Sequence, residues 1–497
     1  MAGSFGSKIA AGAAWMVGFK LLDRLVGVLS IVILARLLVP ADFGLVAMAT
    51  AVVAMIELLS AFNFDVALIQ AQHAVRTHYD TAWTLNIILG AICALLVAAA
   101  AFPAAAFYGD PRLGPVMLWL ALATWIRGFE NVGVIDFRKE LKLHRDFQLL
   151  LAKRIIVFAA TISVALATRS YWALVLGILV GSFAGVGLSY LFHPYRPGFN
   201  LSARGELVQF SKWMVFSNVI NTLTSRAADL VIGKTLGAGP LGLFNLAHEV
   251  AHLPSTELSA PINRAVYPGY AKVASDRTQL ATYFLDVLGL MALLTAPLAL
   301  GIGAIAPSLV PLLLGDKWLD AVPLMQILVV AGLLTSLRTN AGYVLLAVGR
   351  SELLTLATML RFVIVVPALV FGTIEFGVEG AAWTTLATSI VLLPITHVFV
   401  RRVLGIRWSE YGRVLWRPAF ASAGMALLVN AHLGWAHQRL AAGGEALALG
   451  SAVIVGVVAY AALTSLLWSI SGFPRSAEAR ALDALRGFVG RLRNKTG

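Results

Sequence analysis

Runs of about twenty apolar residues, separated by short polar stretches, recur along the whole chain, and each is long enough as a helix to cross a hydrocarbon core of about 30 Å. They predict membrane spans near residues 13–37, 44–66, 82–103, 114–131, 147–168, 171–192, 213–233, 241–262, 282–306, 321–346, 353–373, 378–400, 418–436 and 446–470. The fold class is therefore all-α: a polytopic membrane protein of about fourteen transmembrane helices, because a helix satisfies its own backbone groups inside lipid.

The spans repeat. Ala14–Ala49 lies without a gap on Lys212–Ala247, which sets Trp15-Met16-Val17 on Trp213-Met214-Val215 and Gly44-Leu45 on Gly242-Leu243. Once loops change length, Gly109-Asp110 answers Gly315-Asp316, Arg127 answers Arg338, and Arg154 answers Arg361. The chain is built twice, at about 200 residues per copy. The copies begin at the first and seventh spans, and an even number of spans between them preserves orientation. Parallel copies relate by an axis along the membrane normal, an arrangement in which substrate sits between two bundles that rock against each other. The expected organisation is an N-terminal lobe over residues 1–200, a C-terminal lobe over 201–412, two extra helices over 413–472 and a basic amphipathic cytoplasmic tail over 473–497. A surface helix over 202–212 is expected to link the lobes.

Charge fixes the orientation. With the N-terminus in the cytoplasm, about 24 of the 38 Lys and Arg residues fall in cytoplasmic segments and about 6 in external loops, and the reverse orientation fails this test. Both termini are then cytoplasmic. The net charge of +13 follows from basic loops beside an anionic leaflet and calls for no nucleic-acid partner.

Composition excludes several classes. Charged residues make up 13% of the chain, against about 25% in soluble globules, and mean hydropathy is +0.83. The single cysteine, Cys93, rules out a disulfide framework or a thiolate metal cluster built from this chain. The first span carries Lys20, Asp23 and Arg24 and lacks a small-residue cleavage site, so it is expected to be a retained helix. No Gly-rich phosphate loop is present, so ATP is not the direct driver and no cofactor is expected.

Within this apolar chain, the polar residues inside the spans carry the functional signal. Lys20, Asp23 and Arg24 share one face of the first span. Its copy answers with Arg226 and Asp229, the eighth span adds His248, Glu249 and His252, and Arg127, Arg338, Arg154 and Arg361 bring further cations. A charge at a helix centre costs about 2.5–3.5 kcal/mol on insertion scales, so such groups face a bundle interior or a wet cavity. One reading is structural: Arg127 pairs Glu130, Arg226 pairs Asp229, and Lys20 snorkels toward the cytoplasm. The other is a cationic cavity. Lys20, Arg24, Arg127, Arg226, Arg338 and Arg361 would bind an anionic, phosphate-bearing cargo, since guanidinium presents a donor fork matching phosphate oxygens.

His248-Glu249-Val250-Ala251-His252 also fits the zinc-protease pattern of two histidines one turn apart beside an acid. No third ligand stands in a recognisable motif, so a polar cavity wall outweighs a metal site. Gly181 and Gly185 form a small-residue pair that reads as close helix packing rather than dimerisation.

Leu34-Ala35-Arg36-Leu37-Leu38-Val39-Pro40-Ala41-Asp42-Phe43-Gly44-Leu45-Val46-Ala47 resembles the first external loop and second-helix start of the bacterial polysaccharide flippases. These are the Wzx-type, especially WzxC-like, exporters of the multidrug/oligosaccharidyl-lipid/polysaccharide superfamily. Phe137-Arg138-Lys139-Glu140-Leu141, and Gly315-Asp316-Lys317-Trp318 followed by Ala321-Val322-Pro323, resemble them too, and the likeness covers nearly the whole chain. It implies two six-helix lobes plus a C-terminal pair. It also implies transfer of undecaprenyl-diphosphate-linked oligosaccharides across the inner membrane by alternating access, for exopolysaccharide or lipopolysaccharide assembly. By resemblance Lys20, Arg24 and Arg226 would hold the diphosphate. Protons or sodium would drive transport, with Asp23, Asp229, Glu249, His248 and His252 the ion-coupling candidates, and membrane lipids and the polysaccharide polymerase machinery the partners. The alternative is a multidrug or cation antiporter of the same architecture, whose cavity would need acids and aromatics instead of arginines.

Overall fold

Every predicted span that can be followed lies on a helix, and no strand occurs among the described residues. The computed structural model describes residues 22–60, 75–140, 142–439, 444–474 and 477–479, together with residues 18, 64 and 68, the side chains of 206–217 excepted. In chain order the long helices are α1 (22–37), α2 (Pro40–Glu57), α3 (Arg76–Tyr108), α4 (Leu113–Arg127), α5 (Leu143–Thr168), α6 (Trp172–Phe192) and α7 (Arg204–Leu236). There follow α8 (Ala238–Ala251), α9 (Ala260–Lys272), α10 (Arg277–Leu313), α11 (Ala321–Ala347), α12 (Ser351–Leu404), α13 (Trp408–Arg439) and α14 (Glu445–Ile470). Among the described residues nine helices are long and apolar enough to cross a membrane. Lys20 and nearly all of the basic tail lie outside the described residues.

Three boundaries differ from expectation. The surface helix over 202–212 is continuous with the seventh span in α7, since neither Gly nor Pro separates them. The eleventh and twelfth spans are joined in α12, which turns at Gly377 with φ 66°, a value that favours glycine. The eighth span is not one helix: α8 stops at Ala251, and a π-helix runs over Ser255–Ser259 before α9. Pro254 has no amide hydrogen to continue the ladder, and the wider turn absorbs the break.

The chain forms two compact units, Met1–Gly242 and Leu243–Gly497. Lipid tails are as apolar as leucine, so helix association inside a membrane rests on close packing, which small residues permit. In the first unit, a Cβ on Gly177, Gly181 or Gly185 would strike Thr161, Val157 or Lys153 of α5, which makes the predicted glycine pair part of a packing groove. Gly44 and Gly242, equivalent in the repeat, touch reciprocally. A Cβ on Gly44 would meet the Ala238 carbonyl at 1.8 Å, and one on Gly242 would meet the Pro40 carbonyl at 1.9 Å. Such self-complementary contact is what a twofold relation generates.

The extended stretch between α6 and α7 has backbone groups that no helix satisfies, and side chains of α3 supply the partners. Asp80 accepts hydrogen bonds from the Tyr195 hydroxyl at 2.5 Å and the Gly198 amide at 2.8 Å, and the Thr84 hydroxyl accepts from the Asn200 amide at 3.0 Å. In the second unit the core gathers Phe284, Met291, Leu337, Val344 and Tyr411 from α10, α11 and α13.

Candidate functional site

In the first unit three intramembrane arginines, Arg127, Arg154 and Arg226, have acids beside them. Arg127, at the end of α4, pairs with Glu57 at the end of α2, whose carboxylate also accepts from Thr124 Oγ1 at 3.0 Å. This corrects the expected Arg127–Glu130 pair. Glu130 lines the same cavity of about 180 Å³ as Arg127, Asn86, Arg138 and Asp146, but the arginine is held by Glu57. Arg154 of α5 reaches Asp23 of α1 at 3.0 Å, passing so close to Gly27 that a Cβ there would lie 3.0 Å from the guanidinium. Arg226 and Asp229, one turn apart on α7, pair at 3.2 Å, with Asp229 buried. Arg24 is half-buried and engaged by a neighbour.

The second unit is different. Arg338 on α11 and Arg361 on α12 are half-buried and make no ion pair among the described residues. Arg361 lies within electrostatic reach of Arg338, His248 and His252. Those two histidines stack with ring centroids 4.0 Å apart, and His248 stacks in turn on Phe244 at 5.8 Å. The Nδ1 of His252 lies 3.1 Å from the His248 carbonyl. Buried His397 of α12, a residue the sequence analysis did not single out, lies within electrostatic reach of Arg338 and packs on Phe284 and Tyr411.

The break after α8 helps to set this geometry. Ser259 of the π-helix hydrogen-bonds Ser336 of α11. A Cβ on Gly332 would approach the Ala251 carbonyl to 2.5 Å, so the two backbones are nearly in contact one residue before His252. Asn340 continues the polar seam with Asn263 at 2.8 Å and Tyr270 at 3.1 Å. The zinc-protease pattern gains no third ligand here: among the described residues no group of three His, Cys, Asp or Glu side chains could hold a metal ion, and Glu249 is exposed.

Taken together, a polytopic helical fold and charged side chains carried inside its spans define a membrane transporter. The model of one family, described as polysaccharide biosynthesis protein, matches residues 33–323. That is more than half of the chain, which belongs to this family. The lipopolysaccharide biosynthesis protein WzxC of Escherichia coli K12 is 28% identical over 432 residues, covering 84% of this chain and 86% of the relative. Among solved structures, the lipid II flippase MurJ in an inward closed conformation aligns with a TM-score of 0.72 at 11% identity, covering 92% of this chain and 99% of that one. An inward-facing multidrug transporter of the MATE family aligns at 0.58 and 15% identity, over 77% and 95% of the two chains. These two likenesses are of fold.

Proposed function

We propose that this chain is a flippase that moves undecaprenyl-diphosphate-linked oligosaccharide units across the bacterial inner membrane by alternating access, for assembly of an exopolysaccharide or lipopolysaccharide. Family membership and the near full-length likeness to WzxC support the class, and the fold shared with a lipid flippase agrees with it. The observation that carries the cargo's charge is the pair of intramembrane arginines, Arg338 and Arg361, without acidic partners. Guanidinium groups without a counter-charge inside the spans attract phosphate oxygens and repel the cations an antiporter of drugs would carry.

By resemblance, Lys20, Arg24 and Arg226 join these arginines in holding the diphosphate, with Arg127 steadying the first lobe through Glu57. Protons or sodium drive the cycle, with Asp23, Asp229, Glu249, His248 and His252 as the groups to test. Membrane lipids surround the protein, and the polymerase that elongates the glycan is its expected neighbour. Deleting the gene should abolish the polymer and accumulate lipid-linked repeat units. Purified protein in liposomes should translocate polyprenyl-diphosphate sugars. Export of a cationic dye with polyprenyl-diphosphate sugars left in place would contradict the reading.

A further inference from the structure

His397 is buried where an imidazole does nothing for packing that an apolar ring would not do. It is 4% exposed and lies seven residues before the end of α12, beside the core that gathers Phe284 of α10, Val400 and Leu404 of α12 and Tyr411 of α13. Its ring stands edge-on to that of Tyr411, with centroids 5.1 Å apart, and 5.9 Å from that of Phe284. Among the described residues neither the Nδ1 of His397 nor the hydroxyl of Tyr411 has a hydrogen-bond partner, and both atoms are buried. A buried polar atom without a partner destabilises the fold, so an orphaned imidazole inside a membrane bundle points to a task other than packing.

The groups around the ring decide what a proton on it would meet. From α11 the charged neighbour is Arg338, next to the Leu337 carbonyl. From α13 it is Tyr411, itself within electrostatic reach of Arg401 and Glu410, and from α10 the contact is Phe284. On α12, Arg401 stands one turn further on and lies over the Trp408 ring at 5.7 Å. An imidazolium carries two donors, and in this packing Nδ1 has no acceptor while a guanidinium stands nearby. The packed state therefore suits the neutral ring, and a proton needs α12 and α13 to part until water reaches Nδ1. Arg401, Arg402 and Arg407 surround the turn between these helices, which puts this end of the unit at the cytoplasm by the charge rule that orients the chain.

We propose that His397 is a proton-coupling residue, which takes a proton from the cytoplasm only when the inner ends of α12 and α13 separate. A group protonated in an open state and neutral in a closed one draws the equilibrium toward the open state as pH falls. Histidine is the side chain whose charge changes within the physiological range. As the coupling group of a transport cycle His397 rests on the flippase reading; the acid-driven opening does not.

The test follows backbone hydrogen exchange over residues 390–416 of the full chain in phosphatidylcholine nanodiscs, at pH 8 and pH 5.5, corrected for the intrinsic effect of pH on exchange. An imidazole that titrates near its ordinary value of about 6.5 in the open state alone raises the population of that state about tenfold over this interval. His397→Gln should abolish the rise, and so should His397→Phe, which keeps the core apolar and serves where the glutamine variant fails to fold. His437→Gln, exposed near the far end of α13, should keep it. A parent without the rise, or a folded His397 variant that retains it, overturns the proposal. In proteoliposomes the parent's translocation of polyprenyl-diphosphate sugars should respond to an imposed pH gradient, and that of His397→Gln should not. A translocating parent indifferent to the gradient, or an equal response in the two, removes His397 from coupling. Failure of the flippase reading looks different: the parent translocates no such sugar, while its exchange still rises in acid through His397.

Discussion

The first unit binds Arg127 and Arg154 to acids, whereas the second leaves Arg338 and Arg361 without an ion pair among the described residues, although the two sets occupy matching places in one duplicated sequence. Two of the paired arginines tie helices together. Arg127–Glu57 joins α4 to α2, and Arg154–Asp23 joins α5 to α1. An unpaired arginine ties nothing, and its charge remains available to a ligand. The comparison therefore separates groups that hold the fold from groups that meet the cargo, which composition alone lumps together as intramembrane cations.

The largest effect that would sharpen this distinction lies at a paired arginine in the second unit itself. Arg417 and Glu478 form a buried pair at 3.0 Å, with side chains 5% and 6% exposed. Arg417→Ala should cost about 3–5 kcal/mol by removing the guanidinium from the buried Glu478 carboxylate, read as a fall in the unfolding midpoint. A negligible fall would break the rule that pairing marks a structural role.

Arg226 comes next, because it is both paired and a candidate for the diphosphate. Arg226→Ala takes the guanidinium from the buried Asp229 and should destabilise by about 1–3 kcal/mol. Adding Asp229→Ala should restore stability but leave polymer export absent in a complementation assay. Recovery of export along with stability would remove Arg226 from the cargo site.

The smallest effect is outside the membrane, where Arg112 holds the Asp110 carboxyl below the usual carboxylate range, mainly through their side-chain hydrogen bond. A depressed folded pKa gives stability that is present above the unfolded value of about 3.9 and is lost as pH falls through the folded one. Asp110→Asn should therefore lower stability at pH 7 by about 0.2–1 kcal/mol, and the loss should shrink as pH falls below the unfolded value. A loss that persists unchanged in acid would assign the effect to the backbone turn at Gly109 instead.

Much of the fold was legible because its signal is local. Apolar runs located the helices, whereas Gly109 and Gly315, which the repeat pairs, share a positive φ of 73° and 96° but turn differently, with ψ of 21° and 165°. The Arg226–Asp229 pair was legible for the same reason, since residues three apart on a helix are neighbours. Arg127 was assigned to Glu130 by that logic, and wrongly, because its partner Glu57 lies on another helix and only the register between α2 and α4 brings them together. A lone acid at the end of an apolar span was the available sign. The break after α8 could be suspected from Pro254, yet the hydropathy pattern runs through it. Nothing local distinguishes Arg361, which is unpaired, from Arg154, which is not.

The central claim is tested most directly by the unfolding midpoints of Arg361→Gln and Arg127→Gln, measured side by side in the same phosphatidylcholine nanodiscs without added ligand. Arg127→Gln should melt lower, by the equivalent of about 1–3 kcal/mol, because Glu57 loses its partner. Arg361→Gln should melt at or above the parent, since it removes a charge that repels Arg338 and no acid is left behind. A fall for Arg361→Gln as large as that for Arg127→Gln would mean that Arg361 has a counter-charge within the protein, and would contradict the assignment of the second lobe's arginines to an anionic cargo.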